Sequence, residues 1–164
     1  MGFGLPAAMG AQLALPNQQV VAVVGDGGFQ MTNQELATAV QYDLPVKVLI
    51  MNNGYLGMVR QWQEMFYDRT YSEVDISVAP DFVKLAEAFG CVGLRAEKPA
   101  ELDDKIREMI RTPHPVLFDC RVAALANCFP MIPSGKAHNE MLLGEDVSDA
   151  EVGSAIDAKG KELV

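Results

Sequence analysis

The sequence predicts an α/β fold: a parallel sheet with helices on both faces, three layers in all. Three observations carry this reading. The runs Val20–Val24, Val46–Met51 and Val116–Val122 are short, β-branched and free of polar alternation, the pattern of strands buried on both faces. Segments with apolar residues at helical spacing lie between them, and alternating strands and helices favour parallel pairing through right-handed crossovers. The length of 164 residues, with 49% hydrophobic and 21% charged residues, suits one compact domain and is short for two.

Each element has its own local signal. Leu5–Leu15 is Ala-rich and stops at Pro16-Asn17, so it reads as a helix and a turn. The first strand, Val20–Val24, is broken by Gly25-Asp26-Gly27-Gly28. Thr32-Asn33-Gln34-Glu35 fits a capping box and opens a helix running to about Tyr42. The second strand, Val46–Met51, is stopped by Asn52-Asn53-Gly54. Tyr55, Met58, Val59, Trp62, Met65 and Phe66 then follow helical spacing, and Asp68–Ala79 has no period and reads as a loop. Pro80 suits a helix start, Phe82, Leu85, Ala86 and Phe89 share a face, and Gly90 is placed to cap the end. Cys91–Arg95 is a weaker strand. Leu102, Ile106, Met109 and Ile110 stripe a further helix, with Glu101 and Lys105 paired outside at i,i+4. Val116–Val122 is the last strand, and Ser148–Glu151 is a second possible capping box.

Composition excludes several classes. Thirteen Lys and Arg against 22 Asp and Glu give a net charge of −9, which repels phosphate backbones and argues against a nucleic-acid binder. No apolar run approaches a membrane span. No Lys or Arg precedes Lys47, so a signal-peptide n-region is missing and a cytoplasmic location is expected. Cys91, Cys120 and Cys128 have no C-x-x-C spacing, and His114 and His138 are the only histidines. Neither a zinc site nor a disulfide framework fits, and the thiols read as reduced. So few imidazoles point to a borrowed cofactor. Residues 1–51 hold only four charged side chains, Asp26, Glu35, Asp43 and Lys47, and read as covered on several sides. The last twenty residues are acidic and read as a surface helix or tail, dividing the chain into a domain over 1–144 and a tail over 145–164.

The chemistry-bearing residues follow the first two strands. Ligands of open α/β sheets bind outside the carboxyl ends of strands, where both glycine-bearing turns would lie. Glycines let the backbone approach an anion and aim N–H groups at it. A helix starting near Met31 would add its positive end. The Asp26 carboxylate and the Asn53 amide oxygen are hard donors suited to Mg²⁺. Gly-Asp-Gly and Asn-Asn-Gly are each common turns on their own. Together, each after a β-branched run and with twenty-four residues between Gly27 and Asn52, they describe a Mg²⁺–diphosphate site.

That paired pattern resembles the thiamin-diphosphate enzymes, whose cofactor motif opens with Gly-Asp-Gly and closes with Asn-Asn. The segments Gly57–Gln63, Phe66-Tyr67, Arg69–Ser72, Pro80–Phe82, Lys84–Gly90 and Pro130–Gly135, with Met1–Ala8 at the start, resemble the catalytic large subunit of acetohydroxyacid (acetolactate) synthase. The resemblance covers nearly the whole chain apart from its last twenty residues.

It implies roles at matching positions. Asp26, Asn53 and the Tyr55 carbonyl would hold Mg²⁺. Gly25, Gly27, Gly28 and Gly57 would serve the diphosphate, and Met1, Met31 and Met58 the pyrimidine and thiazolium. Val59, Trp62 and Ser134 would line the substrate channel. Met31, Met58 and Trp62 are equally compatible with core packing, and Ser134 with a simple turn. The implied reaction decarboxylates pyruvate and joins the two-carbon unit to pyruvate or 2-ketobutyrate, an early step toward branched-chain amino acids. The implied partners are a second copy across the cofactor site and a small regulatory subunit, with FAD held elsewhere in a longer chain. The cofactor-activating glutamate has no match here, since Glu35 lies at the wrong end of the site. The chain therefore reads as a carboxy-terminal piece, its domain incomplete at the amino end and inactive alone. Two other readings stay open: another thiamin-diphosphate enzyme, such as glyoxylate carboligase or a 2-ketoacid decarboxylase, and a noncatalytic α/β phosphate-binding module.

Overall fold

A computed structural model of the chain describes residues 1–144. Four strands, β1 (Val21–Gly25), β2 (Lys47–Asn52), β3 (Val92–Ala96) and β4 (Val116–Arg121), form one fully parallel sheet in the order β1-β2-β4-β3. Register pairs Val23 with Leu49, Leu49 with Phe118, and Phe118 with Leu94. The helices are α1 (Gly4–Ala14), α2 (Asp26–Gln30), α3 (Glu35–Gln41), α4 (Gly57–Phe66), α5 (Phe82–Phe89) and α6 (Leu102–Arg111).

Side-chain alternation builds a core on each sheet face. Ala22, Val48, Ile50 and Leu117 join residues of α1, α2, α3 and α5 in the larger core. Leu94, Val116, Phe118 and Cys120 point the other way and pack with Met109 of α6. Phe29 and Phe82 meet edge to face at 5.6 Å and tie α2 to α5. The three-layer reading therefore holds, with one amendment. β1 is an edge strand, and α6 covers only the β3–β4 half of its face. Val21 and Val23 are exposed, Val23 to 63%, so the first strand is not buried on both faces. The charge-poor stretch 1–51 is likewise partly open, with Phe3, Leu13, Met31 and Tyr42 exposed.

Local signals differ from expectation at four places. The glycine-rich segment after β1 is not a loop: α2 begins at Asp26, directly after an extended Gly25. The Thr32–Glu35 capping box does not form. Thr32 donates its hydroxyl to the Gly2 carbonyl at 3.0 Å, and Glu35 accepts from Thr38 instead. Asp81 caps α5, accepting from the N–H groups of Val83 and Lys84, while Gly90 ends the helix as predicted. Lys105 pairs with Glu108 at 2.8 Å, because Glu101 folds back to accept from the N–H groups of Glu97 and Lys98.

Met1–Ala126 forms one compact unit, and a second begins at Asn127. In the second, Met131 and Leu142 exchange backbone hydrogen bonds, and Lys136 pairs with Glu140 at 2.8 Å. The acidic segment 145–164, with the Ser148–Glu151 signal, lies outside the described residues. Among the described residues no helix is long and apolar enough to cross a membrane.

Candidate functional site

The sheet brings the ends of β1, β2 and β4 to one edge. There a cavity of about 550 Å³ opens, with Gly25–Gly28 on one wall, Asn53 and Tyr55–Val59 on another, and Val122 and Ala123 beyond β4. Asp26 is its centre. This carboxylate is only 1% exposed, yet among the described residues no cationic side chain pairs with it. One oxygen accepts from its neighbour Gly27 N–H at 3.0 Å, and the other from Gly54 N–H at 2.7 Å. The second bond crosses from one turn to the other and locks them together. Burial pushes the Asp26 carboxyl above the usual aspartate range. The two N–H donors pull it back only in part, and the negative charge of Asp119 adds to the rise.

Local sequence explains this geometry. Gly54 turns the chain at φ +73°, a left-handed conformation that favours glycine. A Cβ on Gly27 would stand 2.6 Å from Leu56 Cδ2, so a larger residue there would have to push the Leu56 side chain aside. Gly28 has open space where a Cβ would project and sits in the first helical turn, where N–H groups lack intrahelical acceptors. The two asparagines then divide the work. Asn52 is buried and donates to Asp119 at 2.8 Å. Asn53 lines the cavity, and its Oδ1 accepts from Tyr55 N–H at 3.2 Å.

Of the expected cofactor residues, Met1, Gly25, Asp26, Gly27, Gly28, Asn53, Tyr55, Gly57 and Met58 all line this cavity, as does Val59 of the expected channel group. Met31 and Trp62 are exposed and stand outside the lining, and Ser134 belongs to the second unit, beside the turn closed by Lys136 N–H and the Pro133 carbonyl. The positive helix end expected near Met31 is absent there, since α2 starts five residues earlier and Met31 is its C-cap. Sequence reasoning missed Met51, Leu56 and the Val122–Ala123 wall. Met51 reads as core in an apolar run, and only strand pairing shows that the chain after β4 reaches this edge.

The α4 helix is turned opposite to its sequence pattern. Its buried residues are Arg60 and Gln61, while Met58, Val59, Trp62 and Phe66 are exposed. Arg60, 1% exposed, pairs with Glu64 and donates to the carbonyls of Leu125 and Ala126 at 3.2 and 3.4 Å. Those polar partners make it possible to bury an arginine and leave the apolar stripe facing outward.

Comparison with known proteins shows the family. The family model "Thiamine pyrophosphate enzyme, C-terminal TPP binding domain" matches residues 1–120. The acetolactate synthase large subunit of Cyanidium caldarium is 48% identical over 143 residues, covering 87% of this chain and 24% of the relative. The acetolactate synthase of Mycobacterium bovis is 51% identical over 146 residues, covering 86% of this chain and 24% of the relative. The mitochondrial acetolactate synthase of Schizosaccharomyces pombe is 47% identical over 148 residues, covering 90% of this chain and 22% of the relative. Among solved structures, a thiamine diphosphate-dependent 4-hydroxybenzoylformate decarboxylase of Rhodococcus jostii superposes with a TM-score of 0.70 at 34% identity, covering 75% of this chain and 23% of that one. The chain thus spans about a quarter of the length of the curated relatives it matches.

Proposed function

The chain belongs to the thiamine pyrophosphate enzymes as a C-terminal TPP-binding domain, and on that footing we propose that it holds the Mg²⁺–diphosphate end of the cofactor in an acetolactate-forming carboligase. The carrying observation is Asp26, a buried carboxylate without a cationic partner among the described residues, bonded across both turns and facing a cavity it shares with Asn53 and Tyr55. The donor set fits the group. A carboxylate, an amide oxygen and a main-chain carbonyl are hard ligands for Mg²⁺, and diphosphate oxygens can complete an octahedral shell.

Asp26 and Asn53 would hold the cation through their side chains and Tyr55 through its carbonyl. Gly28 and Gly57 would present N–H groups to the diphosphate, while the Gly27 N–H already orients Asp26. Gly25 would let the phosphates approach the end of β1. Met1 and Met58 would pack against the organic rings, with Met31 and Trp62 at the margin. Val59 would shape access for the second ketoacid, the role the resemblance also implies for Ser134. When bound, thiamine diphosphate supplies the carbanion and the electron sink for decarboxylation. This chain's residues anchor and orient it.

Identity of 47–51% to acetolactate synthases against 34% to the decarboxylase favours pyruvate and 2-ketobutyrate as substrates and products on the route to branched-chain amino acids. The resemblance to acetohydroxyacid synthases implies FAD elsewhere in a full-length enzyme, and the relatives named large subunits support a small regulatory partner. Exposed Met58, Val59 and Phe66 beside the cavity support pairing with a second copy. Cys91, Cys120 and Cys128 stand outside disulfides, which suits a reducing compartment such as the cytoplasm; the S. pombe relative is named as mitochondrial.

Calorimetric titration tests the site. Thiamine diphosphate is expected to bind the chain only with Mg²⁺ present, and ATP is expected not to displace it. Displacement by ATP at equal concentration would instead support a general phosphate-binding module.

A further inference from the structure

We propose that Asp119 is a positioning residue for the cation site: from the centre of the sheet it fixes Asn52, and through Asn52 the turn that carries Asn53 and Gly54 to Asp26. The inference rests on reading the cavity as a Mg²⁺–diphosphate site. Asp119 is 0% exposed in β4, the strand between β2 and β3. A charge in such a place is costly unless its partners are well placed. One oxygen accepts from Asn52 Nδ2 at 2.8 Å and the other from Arg95 Nε at 2.9 Å, with Arg121 in ion-pair range at 3.5 Å. Arg95 also reaches Asp81, the cap of α5, at 2.6 Å.

The line of polar contacts runs from a helix cap through two strands and ends at Asn52. That end is the informative one, because a core needing only satisfied groups could carry an apolar residue there. Asn52 is the last residue of β2 and is held twice over: its side chain by Asp119, and its carbonyl by Val122 N–H at 3.1 Å. The next residues are Asn53, which lines the cavity, and Gly54, whose N–H reaches Asp26 at 2.7 Å. Removing the Asp119 acceptor would strand a buried amide donor one residue from the proposed ligand, and such a donor rotates or drags its backbone to find a partner.

The test uses the 164-residue chain with Mn²⁺ as the probe, free Mn²⁺ being read by electron paramagnetic resonance with thiamine diphosphate present. Asp119→Ala and Asn52→Ala are each expected to weaken Mn²⁺ binding ~10-fold or more, the usual effect of losing an outer-shell partner. The double variant should be no weaker than the worse single one, since both cut the same link. In the metal-free chain, the Gly54 amide proton should lose its exchange protection in both. Met109→Ala, which opens the α6 core away from the turn, is expected to lower the melting temperature and leave Mn²⁺ affinity unchanged. Asp119→Ala and Asn52→Ala binding Mn²⁺ like the parent, whatever their melting temperatures, overturns the inference and leaves the site reading intact. A parent chain that takes up no Mn²⁺ with thiamine diphosphate overturns the site reading and this inference with it.

Discussion

At the scale of single residues, Asp26 concentrates the chemistry and its cost. Its folded-state proton affinity is raised, mainly by burial. The unfolded chain therefore ionises first as pH climbs past the ordinary aspartate value of 3.8, and the metal-free fold loses stability until the folded group has ionised as well. A bound cation competes with that proton. Mg²⁺ with thiamine diphosphate is thus expected to raise the melting temperature more at pH 8 than at pH 5 in the parent chain. In Asp26→Asn the rise should be small at both values. Equal stabilisation of parent and variant at pH 8 would remove Asp26 from the metal site. Asp26 and Asn53 were legible as neighbours at one sheet edge because two glycine-bearing turns, each common alone, both follow β-branched runs at a spacing that fits a helix and a strand. The role of Asn52 was not legible. Its partner lies 67 positions away, and no local signal pairs an amide with a carboxylate at that distance.

At the scale of elements, strands and helix stripes were readable where one face meets the core. α5 shows it, with Phe82 and Ala86 buried, an Asp81 cap and Gly90 at the end. On α4 the apolar stripe is real but faces outward. Periodicity finds a face and cannot say what the face meets, and two carbonyls near residue 125 took Arg60 inside. Trp62 packs edge to face on Phe66 at 5.6 Å and remains 38% exposed. Trp62→Leu should therefore cost about 1 kcal/mol or less in chemical denaturation. Phe82→Ala, in the core, should cost about 3–5 kcal/mol. If Trp62 contacts the second ketoacid, a full-length enzyme carrying Trp62→Leu should shift away from 2-aceto-2-hydroxybutyrate, since one methylene in a pocket is worth about 1–3 kcal/mol. A stability loss as large as that of Phe82→Ala, with the product ratio unchanged, would make Trp62 a packing residue.

At the scale of the whole molecule, the exposed face of β1 and the outward stripe of α4 belong to the same question. Val21, Val23, Met51, Phe3, Met58, Val59 and Phe66 are all exposed large apolar side chains, and the 1–51 stretch has few charges to break up its share. Surfaces of this kind associate in water. The cavity has a matching shortage: among the described residues, Asp26 is the only carboxylate in its lining. A group committed to a cation cannot also accept the proton that activates a cofactor or hold a reacting acid. Both observations lead to one expected outcome for residues 1–164 on their own. Supplied with Mg²⁺, thiamine diphosphate, FAD and pyruvate, the chain should bind cofactor yet form no measurable acetolactate. Its particle size by light scattering should grow with concentration. Steady acetolactate formation by a concentration-independent monomer would mean that a proton acceptor lies within these residues and that the exposed apolar faces need no partner.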